Sequence, residues 1–285
     1  MHAIPGPRQR ALFPLKVTTP SAWQPPLDAW LGYLSAARPA STLYLREYHL
    51  RRFAASHPDP WAVDLDELGR WLGAHGWAPE TRRSYRSSLR SFYQWARATG
   101  RLEADPTAEL LPIRVPRGEA RPAPDAVYRA AVASADDRVA LMLELGRQAG
   151  LRRGEIARVH SGDVEADLVG WTLRVTGKGG VVRRVPMLDD LARRLRALPT
   201  GYAFPGQIDG HLSPAYVGKL MSRALDPGWT AHGLRHSFAS AAHEASGHDL
   251  PLTQSLLGHA SIETTRRYVL VDDASKRAAV LRGAA

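Results

Sequence analysis

Several short stretches of this sequence combine residue types that handle phosphate. Ala149-Gly150-Leu151-Arg152-Arg153-Gly154-Glu155-Ile156 sets Arg152 at a glycine-marked break between two helical patterns. An arginine there serves either as a phosphate fork steadied by Glu155 or as half of a helix-end ion pair. Lys178, within Gly177-Lys178-Gly179-Gly180, is a compact ammonium in a chain that otherwise prefers arginine. It is either a proton donor, which guanidinium cannot be, or an ordinary turn lysine. In His232-Gly233-Leu234-Arg235-His236, His232 and Arg235 stand three apart, so on a helix they share a face and pair a proton shuttle with a fixed charge. His259 follows the apolar run Leu256-Leu257 and Gly258, where it could donate to a phosphate oxygen. Tyr268, in Thr264-Thr265-Arg266-Arg267-Tyr268, reads on its own as a structural residue. A metal site is the rival use of these histidines, but no acidic or cysteine partner stands at zinc-like spacing.

The elements that must position these residues fall in two blocks. From 21 to 105 the pattern is helical, with four segments fit for a small bundle. The first carries Trp23, Leu27, Trp30, Leu31 and Leu34; the second opens near Ser41 or Thr42 as a cap and carries Leu43, Tyr44, Tyr48 and Phe53. The third opens on Asp64 and Glu67, spaced as a capping box, and the fourth runs from Pro79 to Gly100 with Tyr85, Leu89, Phe92 and Ala96 on one face. Arg82, Arg86 and Arg90 form a second stripe on that helix, either a set that meets one groove or backbone together or a solvated face. Residues 106–124 read as an extended linker, with five prolines interleaved with Arg114, Arg117 and Arg121. From 125 to 285 helical patterns resume, interrupted by a hairpin in which Trp171, Leu173 and Val175 alternate on one arm and Val181, Arg183 and Val185 on the other. After Leu188 the pattern is helical to the end. The fold class is mainly α with a small β-hairpin in the second domain, and residues 1–20 read as a tail.

Composition narrows the partner. The 285 residues carry 38 basic and 28 acidic side chains, a formal charge of +10, and only four of the basic residues are lysine. Arginine forks on a basic surface favour a polyanion. The chain has no cysteine, which excludes disulfides, thiol nucleophiles and cysteine-ligated metals. No segment approaches the ~20 apolar residues of a bilayer span, and the N-terminus lacks a signal-peptide core, so a cytoplasmic protein without a membrane partner is expected.

Taken in order, Gly-Leu-Arg, a glycine-flanked hairpin lysine, His-x-x-Arg, Leu-Gly-His and a near-terminal tyrosine resemble the tyrosine recombinase (phage integrase) family, over about Ala22 to Leu281. The resemblance implies a two-domain clamp on double-stranded DNA, with a helical core-binding domain and a mixed α/β catalytic domain. It implies Arg152, Lys178, His232, Arg235, His259 and Tyr268 as the catalytic set, supported by Glu155, with no metal and no cofactor. The reaction so implied is attack of Tyr268 on a phosphodiester. His232 and the arginines activate a hydroxyl whose pKa is ordinarily near ~10, Arg152, Arg235 and His259 stabilise the transition state, and Lys178 protonates the leaving 5′-oxygen. It further implies a 3′-phosphotyrosine intermediate, a homotetramer on two duplexes, a Holliday junction and, in some members, a directionality factor.

About twenty residues precede the first helix, so no arm-binding domain is expected. The sequence after Tyr268, Val269-Leu270-Val271-Asp272, lacks the Thr-His often seen in Xer proteins. That favours the integrase of a temperate phage or mobile element over an Xer-type dimer resolvase. A type IB topoisomerase shares the catalytic logic, and a DNA clamp that binds without cutting is the alternative from a different class.

Overall fold

A computed structural model describes residues 18–116, 121–177 and 180–258. Lys178, His259, Tyr268 and Arg117 lie outside the described residues. The chain divides into two compact units, Met1–Arg117 and Gly118–Ala285.

The first unit holds four helices, α1 (Gln24–Ser35), α2 (Ala40–Ala54), α3 (Leu65–Ala74) and α4 (Pro79–Ala98). Their apolar faces meet in a core rich in aromatic rings. Phe92 stacks on Trp23 at 5.3 Å and meets Trp30 edge-on at 5.5 Å, while Trp71 packs against Phe53 and Tyr85. The capping box of α3 is present: Asp64 accepts from the Glu67 amide at 2.8 Å and Glu67 accepts from the Asp64 amide at 3.1 Å. The cap expected of Ser41 or Thr42 is not, because extended Pro39 precedes Ala40 and places both residues inside the first turn of α2.

The segment expected to be linker begins later than its prolines suggest. Thr107 and Leu110 are buried in the first unit, and Asp105 folds the chain back by accepting from the Thr107 amide and hydroxyl. At the other end Ala123 is buried in the second unit, where its amide donates to the Gly233 carbonyl and its carbonyl accepts from Ser237 Oγ.

One buried histidine ties the stability of the first unit to pH. His49 bonds Ser88 Oγ at 2.8 Å and lies 4.0 Å from the Tyr85 ring. Burial first, then Arg46 and Arg52, lower its pKa to about 4. The unfolded chain therefore binds a proton that the folded chain refuses, so stability is full above pH ~6.5 and declines as pH falls toward 4, by roughly 2–4 kcal/mol. Urea unfolding followed by tryptophan fluorescence reads this unit, which holds six of the eight tryptophans. His49→Gln should flatten the slope between pH 6.5 and 4.

The second unit is built on α6 (Asp137–Gln148), whose Met142, Leu143 and Leu145 are fully buried. Around it pack α5 (Asp125–Ser134), the short α7 (Arg153–Ile156), α8 (Asp189–Arg196), α9 (Pro214–Ala224) and α10 (Ala231–Ala245). The last described helix, α11 (Leu250–Leu257), packs against α10 and the sheet. The expected hairpin is β2 (Trp171–Thr176) with β3 (Val182–Met187), joined by β1 (Val164–Ala166) into an antiparallel sheet of order β1-β2-β3. A further short strand, β4 (Pro205–Ile208), interrupts the region expected to be helical after Leu188. Leu173 pairs with Val185 and Val175 with Arg183, so those four side chains share the sheet face that meets the core.

Candidate active site

Gly150 and Gly258 end two chain segments in left-handed conformation, with φ of +61° at each. Gly258 caps α11, and Gly150 follows α6 and turns the chain toward Arg152. Arg152 is extended and precedes α7, where its amide donates to Glu155 Oε2 at 2.8 Å and its carbonyl accepts from the Glu155 amide. This reciprocal turn presents the Arg152 guanidinium, one third exposed, at 2.9 Å from Glu155 Oε1.

Glu155 is the buried hub of the site. Besides Arg152 it accepts from both terminal nitrogens of Arg183, at 3.0 and 2.9 Å, and has Arg235 Nη1 at 3.7 Å. Burial alone would raise its pKa, but Arg183, the Arg152 amide and Arg235 together hold it at about 2. Its contribution to stability is therefore fully present above the ordinary carboxylate range and is lost only as pH falls toward 2.

Arg235 comes from the buried face of α10 and is 1% exposed. Its guanidinium donates to the carbonyls of Gly150 and Leu257, the latter at 2.7 Å, and so joins the turn after α6 to the end of α11. His232, one turn earlier on α10, is exposed as a residue, and its ring lies 4.6 Å from that of His236. Partial burial of the ring and then Arg235, Arg152 and Arg153 lower its pKa, which leaves it neutral and able to accept a proton at neutral pH. Burial, His232 and Arg235 hold His236 at about 4.

Of the residues expected to act together, the structure gathers Arg152, Glu155, His232 and Arg235. It also adds Arg183, which the motifs did not single out. The signal was there: Arg183 occupies a position in the alternating β3 pattern whose neighbour on the same face, Val185, is buried, and an arginine at an inward position needs a buried partner.

The arginine stripe of α4 is already in use within the first unit. Arg82 donates to the Trp77 carbonyl at 3.2 Å, Arg86 to Leu110, and Arg90 to Thr107 and Ala108 at 3.2 Å each. Two of the three therefore hold the 105–110 segment against α4. Arg114 and Arg121 are exposed, and Arg121 lies over the Trp229 ring at 4.5 Å. Among the described residues no group of three potential metal ligands occurs, and no helix is long and apolar enough to cross a membrane.

Two helical units, the second carrying a small antiparallel sheet beside a buried arginine–carboxylate cluster, describe a class of fold shared with DNA-bound recombinases of known structure. The lambda integrase dimer bound to a COC′ core site aligns with a TM-score of 0.68 at 21% identity, covering 88% of this chain and 77% of that one. The XerH recombinase on palindromic difH, in its post-cleavage complex, aligns with a TM-score of 0.62 at 20% identity, covering 85% and 78%. Residues 125–275 match the phage integrase family model. The tyrosine recombinase XerC of Rhodospirillum centenum is 35% identical over 86% of this chain and 82% of its own length. XerD of Caulobacter vibrioides is 31% identical over 86% and 91%. The chain belongs to the tyrosine recombinases, enzymes that cut and rejoin DNA at specific sites.

Proposed function

We propose that the chain is an Xer-type site-specific recombinase that cuts DNA through a 3′-phosphotyrosine. The observation that carries the chemistry is the gathering of Arg152 and Arg235 around one carboxylate with His232 beside them. The identities to XerC and XerD favour the Xer role over the integrase role suggested by the residues after Tyr268.

In the proposed reaction the Tyr268 hydroxyl attacks phosphorus and gives its proton to neutral His232. The bond from phosphorus to the 5′-oxygen breaks, and Lys178 protonates the leaving oxygen. Arg152, Arg235 and His259 meet the charge that grows on the non-bridging oxygens. Arg235 is enclosed in the free protein, so this role requires the groups that cover it, and not the carbonyls that hold it, to shift when DNA binds. The phosphotyrosine keeps the energy of the phosphodiester, so a 5′-hydroxyl from a second duplex can reseal the strand without ATP. Four protomers on two duplexes would exchange strands in turn through a Holliday junction. Arg114, Arg117 and Arg121, together with the outer edges of Arg82, Arg86 and Arg90, are assigned to the DNA backbone.

The test is covalent capture. Purified protein is incubated with fragmented chromosomal DNA of the source organism, adducts are isolated under denaturing conditions, and the attached DNA is sequenced, with Tyr268→Phe in parallel. A single chromosomal locus away from any mobile element, lost with Tyr268→Phe, is the expected result. Adducts at the boundary of an integrated element would instead make the chain an integrase, and tight binding without adducts would make it a clamp.

Because the His232 pKa is depressed, the acid limb of the cleavage rate should lie below the ordinary histidine range. A pH–rate profile of adduct formation checks this. A limb at or above pH ~6.5 would remove His232 as the base.

A further inference from the structure

Arg183 stands where three parts of the second unit meet. The β2–β3 register sets it opposite Val175 on the inward face of the sheet, and its side chain is 8% exposed. Its fork takes both oxygens of Glu155, while its Nε donates to the Leu256 carbonyl at 3.0 Å, near the end of α11. The stem passes so close to Gly258 that a Cβ there would lie 2.7 Å from Arg183 Cδ. Glycine at 258 thus serves both the left-handed turn and the passage of this arginine.

We propose that Arg183 is a positioning residue of the strand-cleavage site, one that occupies both oxygens of Glu155 and so keeps Arg152 and Arg235 from being drawn onto that carboxylate as bidentate partners. This rests on the recombinase reading of the site. The charges facing Glu155 are Arg152 on its own turn, Arg183 on β3 and Arg235 on α10. A carboxylate relieved of Arg183 would take one or both of the others as bidentate partners, and donors so engaged are lost to a phosphate oxygen. The same arginine holds to β3 the end of α11 that Arg235 joins to the turn after α6.

The experiment compares Arg183→Gln, Arg183→Lys and the double variant Arg183→Gln/Glu155→Gln in the full chain, on a nicked duplex from the locus recovered by covalent capture. Arg183→Gln is expected to slow adduct formation ~100-fold while changing affinity for uncut duplex less than ~3-fold. Removing the unopposed carboxylate in the double variant should return at least ~10-fold of that loss, and Arg183→Lys, which keeps the charge, should fall between wild type and Gln. A double variant no faster than Arg183→Gln, or a lysine variant no better than glutamine, overturns the proposal. A second reading needs no DNA. The Glu155 carboxyl carbon, followed by NMR and assigned by its loss in Glu155→Gln, should titrate more than ~1 pH unit higher in the Arg183 variants, and an unmoved titration overturns the proposal. Absence of any adduct from the wild-type protein would refute the recombinase mechanism instead, and the Glu155 titration would still decide the role of Arg183.

Discussion

Replacing Arg235 with glutamine should lower the rate of covalent complex formation by ~10²–10³-fold and change affinity for uncut duplex by less than ~3-fold. The side chain is held from three directions, by the Gly150 carbonyl, the Leu257 carbonyl and Glu155, so the guanidinium is fixed before any phosphate arrives. A preorganised charge of this kind acts mainly on the transition state, where negative charge grows, and little on the ground state. The residue is also a structural member of the cluster. Breaking one partner out of a buried ion network costs ~3–5 kcal/mol, so Arg235→Gln should melt lower as well, and the rates must be compared well below its transition. Single-turnover adduct formation on the nicked duplex and filter binding on the intact duplex of the same sequence separate the two roles. If cleavage and affinity fall in parallel, Arg235 is a structural residue, and Arg152 must carry the phosphate with other help.

The parts of this molecule that could be read in its sequence are those fixed by local pattern. Aromatic and leucine residues at helical spacing marked α1 to α4, and the Asp64–Glu67 pair marked the start of α3, because periodicity and capping act within one or two turns. The motif residues Arg152, Glu155, His232 and Arg235 each had two readings on local pattern, and only the order of the motifs, through its resemblance to the tyrosine recombinases, set them together. What escaped was decided at a distance. β1 is three residues long and exists because Val164 to Ala166 pair with Leu173 to Trp171, a register that no short window contains. β4 begins with Pro205-Gly206, residues that locally read as a break, and is held by the bond from the Leu212 amide to the Phe204 carbonyl and that from Gly206 to Gly210. The α4 stripe showed its face in the sequence but not its load, because the 105–110 segment laid over Arg86 and Arg90 lies some twenty residues further along the chain. Arg183 shows its inward position in the alternating β3 pattern but not its partners, which are 28 and 73 residues away.

The connection between backbone and site is most severe at Gly150, and Gly150→Ala should destabilise the second unit by ~3 kcal/mol or more. Two costs combine there. A left-handed φ of +61° is unfavourable for any residue with a Cβ by ~1–2 kcal/mol, and the added carbon would lie 2.3 Å from Phe238 Cδ1 and 2.6 Å from Cε1. Phe238 cannot simply withdraw, because its ring packs on the small cluster of Ala239 and Leu257 at the joint between α10 and α11. Relief must come from the backbone, and the Gly150 carbonyl is the acceptor of Arg235. Gly150→Ala should therefore also slow adduct formation in the fraction that remains folded. A double-mutant cycle with Phe238→Ala divides the two costs. The steric part vanishes when the ring is gone, so the pair should be less destabilised than the sum of the singles by at least ~1 kcal/mol, while the dihedral part persists in both backgrounds. Chemical denaturation of the four proteins measures this, and additivity to within ~0.5 kcal/mol would mean that the ring is not what confines position 150 to glycine.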